Sequence, residues 1–139
     1  MLSSVFGSND ISSPEFQKLA ARWDNFLSKL KERFYEVLKQ SEDPLKNVID
    51  NIQFDSVIIH NIKTGLHNQT VEQLSVKADE GWNKMESEMS KGGFSFRLIT
   101  EERKKADEIK EWFALEFLKF EVDLYAKAAG KYLKMSGST

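Results

Sequence analysis

The two histidines, His60 and His67, are the first candidates for chemistry in this chain. A di-iron carboxylate bundle needs a Glu-x-x-His pair on each of two helices. Val57 and Thr64 stand three residues ahead of the histidines, so that ligand set is missing. The imidazoles would share a face only if a helix ran through Gly65. The run KTGLHNQT reads instead as a loop, which makes them solvated loop histidines. The absence of cysteine removes disulfides, zinc–thiolate sites and cysteine nucleophiles together. No G-x-S-x-G and no local Ser/His/acid signature occurs. KGGF lacks the spacing and the Lys-Ser/Thr of a phosphate loop. Adjacent acids such as Glu101/Glu102 and Asp79/Glu80 point about 100° apart on a helix, so they do not converge on a substrate and read as solvated. The sequence therefore assigns no catalytic residue, metal ligand or cofactor, and the expectation is a protein that is not an enzyme.

Two basic features remain. Arg103, Lys104 and Lys105 lie among acids and read as a salt-bridged face. Lys127, Lys131 and Lys134 gather near the end of the last helix. They suit its negative pole and offer contacts to an anionic membrane surface. The halves of the chain are each close to neutral, with eight basic and nine acidic residues in 1–70 and twelve and thirteen in 71–139. No global footprint for nucleic acid follows from that balance.

The stretch EWFALEFLKFEVDLY, residues 111–125, is unusual. Phe113, Leu115, Phe117, Leu118, Phe120, Val122, Leu124 and Tyr125 cover well over half of a helical circumference, and Glu121 projects from the middle of the apolar side. Either this helix sits between two others of its own bundle, which would consume the whole face, or part of the face meets a partner, a second copy, or a lipid or apolar ligand. The first is the expectation. Trp112 and the alternating Phe94, Phe96 and Leu98 lend weight to the second, because aromatic residues are enriched at interfaces. Glu121 is expected to sit at the edge of the core, to line a pocket, or to pair with a cation on a neighbouring helix, with Arg22 and Arg33 as possible donors.

The elements that must position these residues are helical. Ser13 is a good N-cap, Pro14 suits the first helical position and Glu15 complements the dipole. Phe16, Ala20, Trp23, Leu27, Leu30, Phe34 and Val37 then recur at alternating intervals of four and three. Pro44 ends that helix and opens a second over 44–63, where SVIIHNI is also readable as a short strand because isoleucine and valine favour sheets. Thr70 caps a third helix with Val71, Leu74, Ala78, Trp82, Met85 and Met89 as its stripe. Gly92 or Gly93 terminates it. FSFRLI reads as extended, and Thr100 caps the last helix, which runs to about Met135.

Only two prolines and seven glycines occur in 139 residues, which favours long uninterrupted helices. Hydrophobic residues at 40% suffice for one packed core, and charged residues at 30% suit a solvated surface. The expected fold is an all-α, four-helix, up-and-down antiparallel bundle over 13–135, with long first and last helices of about 13–41 and 100–135 and shorter ones of 44–63 and 70–90. Residues 1–12 are a flexible N-terminal lead and 136–139 a frayed tail. Trp23, Leu27, Leu30, Phe34, Ile52, Trp82, Phe113, Phe117 and Phe120 are expected in the core. No stretch approaches the ~18–20 apolar residues that span a bilayer, and the N-terminus lacks a convincing secretory signal. With no cysteine, a cytoplasmic location is the expectation. The functional expectation is an interaction or scaffold module that docks a protein partner or a second copy. Its surface would comprise Phe94, Phe96, Trp112, Glu121, Lys127, Lys131 and Lys134. The alternative is a bundle that binds an apolar ligand or a membrane surface.

Overall fold

The computed structural model describes residues 13–51 and 56–137, with the side chains of 13–50 and 57–130. The lead 1–12, the expected core residue Ile52 and the last two residues lie outside the described part. Helix α1 spans Pro14–Gln40, α2 Glu42–Asn51, α3 Ser56–His67, α4 Gln73–Lys91 and α5 Phe96–Gly137, with a π-helical turn at Asn68–Glu72. Among the described residues there is no strand, so SVIIHNI is helical.

The start of α1 follows the sequence. The Ser13 hydroxyl oxygen accepts from the Phe16 N–H at 3.0 Å, with Pro14 and Glu15 in the first turn. Phe16, Trp23, Leu27, Leu30, Phe34 and Val37 are all buried. The end of α1 is less abrupt than Pro44 suggests. The Leu45 N–H still donates to the Ser41 carbonyl at 3.0 Å, as within a helix. A proline in the first turn loses no intrahelical bond, so a single residue, Ser41, separates α1 from α2.

The larger departure is at 63–70, where a loop was expected and the chain stays helical. α3, the π-helical turn and α4 succeed one another without a non-helical residue. Inside the turn Thr70 is fully buried, and its hydroxyl donates to the Leu66 carbonyl at 2.7 Å. It is therefore not an exposed cap. π-Type bonding displaces the regular i→i−4 pattern, and the Thr70 hydroxyl serves a carbonyl in that stretch. Leu66 and Leu74 are buried on either side. Such packing outweighs the ~1 kcal/mol by which Gly65 disfavours a helix.

The expected four rods thus become three long helical arms, α1 with α2, α3 with α4, and α5. The first and third run in the same direction. Phe16 meets Phe94, Trp23 donates its indole N–H to the Glu102 carbonyl at 3.1 Å, and Phe34 stacks on Phe113, so numbers rise together along α1 and α5. α4 runs the opposite way, with Glu88 paired to Arg22, Glu86 to Arg103 and Asp79 to Lys110. The up–down–up order replaces the four-helix up-and-down order, because the segment expected to turn the chain at 63–70 stays helical.

The α4–α5 corner explains a second departure. Gly93 has φ 74°, the Phe94 N–H donates to the Met89 carbonyl at 3.1 Å and the Gly93 N–H to the Ser90 carbonyl at 3.2 Å. This is the Schellman arrangement, which brings the residue after the left-handed glycine back onto the helix it leaves. Phe94 is buried accordingly, as is Met89. The next helix begins at once. The Ser95 hydroxyl oxygen accepts from the Leu98 N–H at 3.2 Å and its carbonyl from the Ile99 N–H at 3.1 Å. FSFRLI is therefore not extended, and the cap is Ser95. Thr100 lies inside the helix, its hydroxyl buried without a hydrogen-bond partner.

Of the expected core, Trp23, Leu27, Leu30, Phe34, Trp82, Phe113 and Phe117 are buried, while Phe120 is half-buried at its edge. A Cβ added at Gly65 would meet nothing within 4 Å. Gly65→Ala should therefore stabilise the protein by about 0.5–1 kcal/mol in urea unfolding, from helix propensity alone. A neutral or destabilising result would mean that Gly65 is not in a helix interior.

Candidate functional site

On α5 the wide apolar face divides in two. Phe113, Phe117, Leu124 and Ala128 point into the bundle and are 0–4% exposed. Leu115, Leu118, Val122 and Tyr125 are 53%, 53%, 63% and 39% exposed. The bundle alone therefore does not consume this face, contrary to the first expectation. The four exposed residues follow a 3-4-3 spacing. At ~100° and ~1.5 Å per residue they occupy about 80° of arc and about 15 Å of helix. They form one narrow stripe, away from the core side.

Ion pairs border the stripe on both flanks. On one, Lys119 pairs with Glu116 at 3.0 Å, and Glu116 accepts a long hydrogen bond of 3.5 Å from Tyr35 on α1. Burial first, then the adjacent Glu116 carboxylate, pushes the Tyr35 hydroxyl above its usual pKa. On the other flank Glu121 meets Lys63 of α3 at 3.1 Å. The Glu121 hydrogen bond raises the Lys63 pKa against the opposing effect of burial. The Lys63 ammonium also lies 5.5 Å from the centre of the Tyr125 ring. Glu121 is thus held by a cation from a neighbouring helix, but the cation is Lys63. Arg22 pairs with Glu88 and Arg33 with Glu36 instead. Nothing in the sequence marks Lys63 as that cation, because KTGLHNQT reads as a loop.

The aromatic residues expected to form one patch are dispersed. Phe94 is buried with its ring edge-on to Phe16 at 5.8 Å. Phe96 is 77% exposed. It lies sixteen residues from Trp112, about 24 Å along the helix and about 160° around it. Trp112 is half-buried between α1 and α5, its ring 5.4 Å from Phe34 and 5.5 Å from Tyr35, with the Lys31 ammonium 4.9 Å from its centre. Lys127 is exposed and pairs with Asp123 at 3.0 Å. Lys131 and Lys134 fall on α5 where side chains lie outside the described residues.

No family model matches this chain, and neither does any curated protein or solved structure. Its own residues carry the whole functional argument. Among the described residues no helix is long and apolar enough to cross a membrane. Among them, too, no group of three or more His, Asp or Glu residues could hold a metal ion. His60 is exposed. His67 lies 3.8 Å from Glu72 across the π-helical turn and edge-on to Phe117 at 5.1 Å, so it is not a solvated loop residue.

The RKK run is salt-bridged largely between helices: Arg103 to Glu86 of α4, and Lys105 to Asp24 of α1 as well as to Glu102 beside it. The Arg103 guanidinium holds the Glu86 carboxyl below its ordinary range. Burial works against the charge on Lys105, yet Asp24 and Glu102 keep its pKa above the usual lysine value. Glu102, expected in solvent, is buried beneath this network.

The Glu121–Lys63 pair makes a pH prediction. A lysine whose folded pKa is raised contributes stability that is fully present below the unfolded value of about 10.4. That contribution is lost as pH rises through the folded value. Glu121→Leu should change stability at pH 7 by about 1 kcal/mol or less, because the pair is partly buried, at 18% and 29% side-chain exposure, and the leucine adds apolar packing where the carboxylate was. The difference between wild type and variant should shrink further at the alkaline end. Urea unfolding of both proteins at pH 7 and above pH 10 checks this. A stability loss of several kcal/mol at pH 7 would mean that Lys63, 18% exposed, cannot reach water once its partner is gone.

Proposed function

We propose that this chain is a non-enzymatic docking module whose binding element is the solvent-facing side of the last helix. The observation that carries the reading is the exposed stripe of Leu115, Leu118, Val122 and Tyr125. Its 3-4-3 spacing is the one with which a helix offers knobs to the holes of a second helix laid along it. Ion pairs flanking an apolar seam suit the same geometry, since they border it without interrupting it. The partner is an amphipathic helix, from another protein or from a second copy. A chain without cysteine suits a reducing compartment such as the cytoplasm.

An anionic membrane surface is the weaker fit. It would meet Glu111 and Glu121 beside Lys119 and Lys63, so the borders of the stripe give it no net attraction.

The test is the double variant Leu118→Glu, Val122→Glu. Both sites are more than half exposed, so helical content should persist and stability should shift by no more than about 0.5 kcal/mol per site. Self-association in sedimentation velocity, or capture of a specific protein from the source cell, should be lost. Unfolding of the variant would mean that the stripe is core. A folded variant with the same associations as wild type would sink the docking role.

A further inference from the structure

We draw no further inference here: the strongest candidate, the groove between α2 and the distal half of α5, with Ile49 and Phe120 on its floor and Asp43, Asp50 and Asp123 on its rim, adjoins residues whose side chains lie outside the described part of the chain, and nothing in the structure shows what covers it.

Discussion

Phe34→Ala should cost about 3–5 kcal/mol of folding stability, the range for deleting a fully buried aromatic ring. Phe34 is 0% exposed. Its ring lies 5.6 Å from that of Phe113 with 17° between their planes, and it meets Trp112 edge-on at 5.4 Å. Removing it deprives both α5 rings of one aromatic neighbour and opens a cavity in the α1–α5 contact. A domain of this size has roughly 5–15 kcal/mol in total, so the variant should fold only marginally. Urea denaturation followed by circular dichroism would measure the change, with Leu118→Ala on the opposite side of α5 as the exposed control. A loss below about 1 kcal/mol for Phe34→Ala, or equal losses for the two variants, would place the core elsewhere.

Thr70→Asp should be almost as damaging, at about 3–5 kcal/mol, and it separates two readings of the same residue. At an exposed helix N-cap aspartate is as good as threonine or better. At a site 0% exposed it buries a carboxylate, which must shed its charge by taking up a proton at a cost or remain charged out of water. Thr70→Ser should retain the hydrogen bond to the Leu66 carbonyl and lose only the packing of one methyl group, about 1 kcal/mol. The order wild type, Ser, Asp in thermal unfolding is therefore expected. Aspartate at wild-type stability would mean that a helix begins at Thr70 after all.

Where the sequence misleads, it does so through residues with two local uses. Thr70, Ser95 and Thr100 are each acceptable caps by type. Only Ser95 has free N–H groups above it, because the left-handed Gly93 ends α4 just before it. Gly65 and its polar neighbours resemble a loop, yet a helix is also open to them. Burial of Leu66, Thr70 and Leu74 selects the helix. Phe94 and Phe96 alternate as in a strand, but one is tucked in by the Schellman turn and the other is left in solvent.

The helical class, the cap at Ser13, the stripe of α1, the glycine stop at 92–93 and most of the core residues follow from the sequence by itself. Each depends on periodicity or on interactions within one turn of helix, which the order of residues encodes directly. The number of arms, the partner of Glu121 and the division of the α5 face were decided by tertiary structure. All three depend on which elements come to lie side by side. Leu115 and Phe117 are equally apolar in the sequence. One faces water and the other the core because the two other arms cover only one side of α5, and no local rule states how many arms there will be.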